Sequence, residues 1–128
     1  MPTLPWTAGP AATVRTTESI VMASRFRVLR HRDVLPFFID ALRVFALARR
    51  SPGIIGVTLS ARPLRKEFWT LSQWADQAAL EEMVRTEPHA SIMVRQREVM
   101  AESVFCTWTA PADTPPTWAD VRRKLEPV

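Results

Sequence analysis

The chain has 128 residues, the size of one domain and too short for two. Its 47% apolar and 23% charged content is that of an ordinary globular protein, which excludes a disordered or collagen-like chain. Lys and Arg number 17 against 13 Asp and Glu, giving a net charge of +4, but the arginines are spread among acids as on a solvated surface, with no nucleic-acid footprint.

No apolar run approaches the roughly 18 residues needed to cross a bilayer. The first residues lack the basic-then-apolar pattern of a secretory signal. A soluble, cytoplasmic protein with no membrane partner is therefore expected. Cys106 is the only cysteine, so neither an internal disulfide nor a cysteine-based metal site is expected. The chain has no Tyr and no Asn, which removes two common catalytic side chains.

Residues 1–17 carry Pro2, Pro5 and Pro10 among small residues and read as an extended or mobile arm. The domain proper spans 18–110. Its first strand runs from Ser19 to Val28, on β-branched and aromatic content. Asp33 can cap a helix with Pro36 in its first turn, and Leu35, Phe38, Ala41, Leu42, Phe45 and Ala48 recur at helical spacing. Ser51-Pro52-Gly53 stops that helix.

Ile54 to Ala61 reads as a second strand, Arg62 to Lys66 as a turn, and Glu67 to Gln73 as a third strand. Asp76 or Ser72 begins a second helix with Leu80, Met83 and Val84 inward, and Pro88 kinks it into a piece reaching Arg97. Val99 to Thr109 is a half-buried fourth strand. The tail, 111–128, holds Pro111, Pro115 and Pro116, then Thr117-Trp118-Ala119-Asp120, a capping box with Asp in place of Glu. A short final helix would present Trp118, Val121 and Leu125 on one side.

Strand, helix, strand, strand, helix, strand is the ferredoxin-like βαββαβ order, an α+β fold with an antiparallel sheet and here an extra C-terminal short helix. Helices on one face leave the other open, and a second copy of the chain is its simplest cover, so a homodimer is expected.

Ser51-Pro52-Gly53-Ile54-Ile55-Gly56, Phe68 to Trp74 and Ala78-Ala79-Leu80 resemble the antibiotic biosynthesis monooxygenase superfamily. Glu87-Pro88-His89, Met93, Arg95, Arg97, Trp108, Pro111-Ala112, Pro116-Thr117 and Leu125-Glu126 resemble more closely a neighbouring family, DUF3291. The resemblance covers about Ile20 to Glu126 and implies a dimeric α+β barrel made of two ferredoxin-like sheets. It is specific for fold and weak for activity, because the superfamily holds oxygenases, isomerases, heme degraders and uncharacterised proteins. Heme degraders of this superfamily use a first-strand Asn, a Trp in the second helix and a His on the iron. Here Ser24 or Arg25, Met83 and, roughly, His89 stand near those places, so that mechanism is not implied.

The resemblance implies a cofactor-independent monooxygenase acting on a small aromatic or polyketide-type substrate, which as an enolate or phenolate itself reduces oxygen. On that reading His89 is the base, Arg25 or Arg95 the partner of the developing anion, and Trp69, Trp74, Met83 and Trp108 the walls of a pocket between sheet and helices. No cofactor is expected. The plainer reading of the same residues is core packing for the tryptophans, surface charge for the arginines, and a backbone-bonded His89. The alternative function is a non-catalytic dimeric module that binds a small aromatic molecule or heme. His31, between Arg30 and Arg32, reads as surface loop, and two unpaired histidines make a weak metal signal. No nucleophile elbow or glycine-rich phosphate loop is present.

Overall fold

The structure is a computed structural model that describes residue 3 and residues 5–11, 18–87 and 89–125. Its five strands form one antiparallel sheet in the order β1 (Thr7–Ala8), β3 (Ile54–Arg62), β4 (Glu67–Trp74), β2 (Glu18–Val28), β5 (Met100–Pro111). Four of these are the strands the sequence implies, in ferredoxin-like order. The additional edge strand comes from the arm, with Thr7 opposite Val57 and Ala8 opposite Gly56. Gly56 permits this, because the Trp6 ring occupies the space that a Cβ at that position would take.

Three helices cover one face of the sheet: α1 (Val34–Ala48), α2 (Gln77–Arg85) and α3 (His89–Gln96). A 3-10 turn, His31–Asp33, precedes α1. Asp33 does not cap the helix by its side chain; its carboxylate accepts from the Arg30 N–H at 3.2 Å. The buried stripe of α1 is Phe37, Asp40, Leu47 and Ala48, while Leu35 and Leu42 face outward. Of the expected stripe, Phe38, Ala41, Phe45 and Ala48 do pack against the core, and only Leu35 and Leu42 leave it, because α1 is apolar on most of its circumference and Phe37 and Leu47 take inward places that periodicity did not single out. Gly53, at φ +87°, makes the turn into β3.

Asp76 caps α2 as expected, its Oδ1 accepting from the Ala79 N–H at 2.8 Å. The kinked helix is in fact two helices: the Thr86 hydroxyl closes α2 onto the Glu82 carbonyl at 2.7 Å, and α3 starts at His89. The kink residue itself, Pro88, lies outside the described residues.

Strand alternation sorts the core into two layers. Toward the helices, Ile20, Met22, Trp74, Leu80 and Met83 form one cluster, and Phe26, Phe37, Ala61 and Phe68 another. On the opposite face Val21, Ala23, Trp69 and Leu71 meet α4 (Trp118–Leu125), whose Val121 and Leu125 are buried against them. The capping box forms as written in the sequence: Thr117 N–H donates to the Asp120 carboxylate at 2.9 Å and Asp120 N–H to the Thr117 hydroxyl at 3.2 Å. The buried Gln73 amide anchors the approach to this helix, donating toward the Ser19 hydroxyl and the Pro111 and Thr114 carbonyls at 2.9–3.3 Å.

The open sheet face is therefore not bare. Covering it needs no second copy over β2 and β4, because the chain's own C-terminal helix lies there and removes that reason for a dimer. Among the described residues no helix is long and apolar enough to cross a membrane.

Candidate functional site

A groove of about 460 Å³ lies between the N-terminal half of α1 and the C-terminal end of α3. Leu35, Pro36, Ile39 and Val99 form its apolar walls, and Asp33, Asp40, Arg95 and Gln96 its polar ones. That volume lies within the range of small-molecule sites.

Asp40 organises the polar end. It stands on the buried side of α1 with a side chain only 8% exposed. Arg95 Nη2 donates to one carboxylate oxygen at 2.7 Å and Gln96 Nε2 to the other at 2.5 Å, while Arg43 lies 3.7 Å away, one turn along α1. Burial pushes the Asp40 carboxyl up, but the hydrogen bonds from Arg95 and Gln96, with the charges of Arg95 and Arg43, outweigh it and hold the group below the ordinary range. It is an ionised, fully engaged carboxylate at neutral pH. Its effect on Arg95 is positional: one N–H of the guanidinium is held by the carboxylate, and the residue borders the groove.

A smaller cavity, about 20 Å³, is a cleft between α4 and the sheet lined by Ser60, Arg62, Trp69, Trp118 and Arg122. It has room for roughly one water. Trp69 is the centre of this region. The guanidiniums of Arg25 and Arg62 each lie 5.7 Å from its ring centroid. Arg25 is ion-paired with Glu102.

The candidate residues of the sequence thus fall into separate places. Trp74 and Met83 pack together between sheet and helices, whereas Trp69 and Trp108 belong to the cluster on the α4 face. Five positions separate Trp69 from Trp74, so strand alternation alone puts them on opposite faces. Arg95 borders the groove, and Arg25 lies across the sheet on the α4 side. His89 opens α3 and borders neither cavity. Its Nδ1 is 3.0 Å from the Val84 carbonyl; a carbonyl only accepts, so the proton sits on Nδ1 and Nε2 carries the lone pair. Burial lowers the His89 pKa and the bond to Val84 opposes this in part, so the ring is neutral at pH 7.

Asp40 and Gln96 are functional candidates that sequence reasoning missed. The available signal was a single acid inside the apolar run Val34–Ala48, where a charge is seldom buried without a partner. Among the described residues no three His, Cys, Asp or Glu side chains gather as a metal site would require.

Residues 21–128 match the family model of a domain of unknown function, DUF3291. No curated protein matches the chain. Among solved structures, SnoaB, a cofactor-independent oxygenase from Streptomyces nogalater, is 21% identical with a TM-score of 0.57 over 74% of this chain and 94% of its own. A "putative antibiotic biosynthesis monooxygenase" from Caulobacter crescentus is 18% identical with a TM-score of 0.65 over 73% of this chain and 91% of its own. A protein from Shewanella oneidensis reaches a TM-score of 0.66 at 15% identity over 74% and 93%. At such identities the likeness is one of fold.

Proposed function

Since the chain belongs to the DUF3291 family and has the fold of monooxygenase-like proteins, we propose that it acts on a small, largely apolar molecule bearing an acidic oxygen, held in the groove between α1 and α3. The observation that carries this reading is Arg95 hydrogen-bonded to a buried, ionised Asp40 beside an apolar wall. A guanidinium tethered by one N–H to a buried carboxylate keeps further donors for a ligand, which suits an enolate or phenolate oxygen. Leu35, Pro36 and Ile39 would take the hydrocarbon part of the ligand.

The chemistry we assign is cofactor-independent oxygenation, the activity by which SnoaB is described. The ionised substrate would pass electrons to oxygen, a ring CH2 would become C=O, and the second oxygen atom would leave as water. Arg95 would stabilise the anion that starts this sequence. Asp33, on the groove wall with one carboxylate oxygen bonded to the Arg30 N–H, would be the nearest proton acceptor.

A second reading, binding without turnover, is favoured by one observation. Asp40 is fully engaged and His89 stands outside the groove, which leaves Asp33 as the one carboxylate among the lining residues with spare acceptor capacity. Oxygen uptake with polyphenolic substrates separates the two readings. Under both, Arg95→Gln should weaken binding of a phenolate-type ligand by about 10- to 100-fold, the worth of one hydrogen bond to a charged group. Unchanged affinity in a variant that still folds would remove the groove as the site.

A further inference from the structure

Three loops meet at one end of the sheet: residues 29–33 between β2 and α1, residues 63–66 between β3 and β4, and Arg97–Val99 between α3 and β5. Hydrogen bonds tie them together. The Val28 N–H donates to the Lys66 carbonyl at 3.0 Å, the Leu29 N–H to the Val99 carbonyl at 2.8 Å, and the Lys66 ammonium to the Leu29 carbonyl at 3.4 Å. This joined end carries apolar side chains in water. Leu64 is 91% exposed on a 3-10 turn that Lys66 closes at φ +60°, and Leu29 and Leu35, the latter on the first turn of α1, are exposed as well. Single exposed leucines are ordinary, but three on loops bonded to one another and an adjoining helix turn mark a contact surface.

The same end is basic. Arg30, Arg32, Arg65 and Arg97 are exposed, and among the described residues none of them forms an ion pair. Its acids are mostly engaged: the Asp33 carboxylate accepts from the Arg30 N–H, Glu67 faces Arg62 at 4.0 Å, and Glu102 is ion-paired with Arg25 and Arg27. Glu98 is the one exposed acid there.

We propose that this end docks on an anionic lipid bilayer, with Leu29, Leu35 and Leu64 entering the boundary between headgroups and acyl chains and the four arginines facing lipid phosphates. An anionic bilayer is the partner that meets both features, attracting the cations and taking the leucines out of water. A nucleic acid would match the arginines and leave the leucines exposed. Lack of a spanning run excludes a bilayer crossing, and surface docking needs none. The groove lies at the same end, with Leu35 and Val99 among its walls. Docking therefore sets the groove against the bilayer, and its ligand is of a class that partitions into membranes. This last point rests on the groove being the ligand site; the docking does not.

The test is co-sedimentation of the intact chain with vesicles of phosphatidylcholine, alone or mixed with phosphatidylserine, in the absence of any groove ligand. The wild type should bind the mixed vesicles, less so as salt rises, and bind neutral vesicles far more weakly. Removing one cation should lower the partition about fivefold, so Arg30→Gln with Arg65→Gln should lower it roughly 25-fold. Leu64→Ser should lower it about tenfold with an unchanged melting curve. Ligand affinity in the groove is read separately through Arg95→Gln, so failure of either reading is seen apart from the other. No binding to the mixed vesicles, or binding that Leu64→Ser leaves intact, would overturn the proposal. Tighter binding to a DNA duplex than to the mixed vesicles would overturn it too, and would give the arginines to nucleic acid.

Discussion

Asp40→Ala tests whether the buried carboxylate organises the α1–α3 groove. The substitution removes hydrogen bonds from Arg95 and Gln96. A bond to a charged group contributes about 1.5–3 kcal/mol. The Arg95 bond belongs at or below the low end, because that side chain is 55% exposed and water screens the pair. The Gln96 bond is buried, and its loss leaves an amide without a partner. Together they come to about 3 kcal/mol. An unfolding entropy of about 2.1 cal/mol/K per residue gives roughly 0.27 kcal/mol/K for 128 residues, so the melting temperature should fall by about 11 °C.

The pH dependence supplies a second check on the same group. Asp40 has a folded pKa below its ordinary 3.8, so its stabilisation is complete above about pH 4 and is lost as pH falls through the folded value. Urea unfolding at pH 7 and again near pH 2.5 should show the gap between wild type and Asp40→Ala narrowing at the acid end. A gap under 1 kcal/mol at pH 7, or one that persists unchanged in acid, would refute the reasoning.

Truncation after Pro116 removes α4 and uncovers Val21, Ala23, Trp69 and Leu71. Burying Val121 and Leu125 alone is worth about 1.5–3 kcal/mol each, so the melting temperature should drop by more than 10 °C and binding of a hydrophobic dye should rise; an unaltered melting curve would mean that the helix does not dock. His89→Gln removes the ring held at the Val84 carbonyl and should cost about 1 kcal/mol, without changing the affinity of a ligand in the groove. Because the folded His89 pKa is lowered, wild-type stability should decline as pH falls below about 6.5 and this slope should shrink in His89→Gln. A loss of oxygen uptake in His89→Gln with unchanged stability would instead give His89 the role of base.

Much of the architecture was written locally. Strand and helix order, the Asp76 cap, the Thr117–Asp120 capping box and the inward faces of α2 and α4 follow from residues a few positions apart, and all are present. The division of Trp69 from Trp74 was also legible, since an odd spacing within one strand sends side chains to opposite faces. The fold class and the DUF3291 likeness belong to this same level.

Three features waited for the tertiary structure. The edges of the inner face of α1 were not legible because nearly all its residues are apolar: Phe38, Ala41, Phe45 and Ala48 pack inward as their spacing implies, but only packing against Phe26 and Phe68 turned Phe37 inward and Leu35 outward. The arm supplied β1 because Gly56, some fifty residues away in sequence, left space for Trp6. The groove exists because Asp40 and Arg95, 55 positions apart, meet where α1 crosses α3. Local patterning sets which element forms and where it stops; which buried charge finds which partner depends on loop closures that no short window of sequence contains.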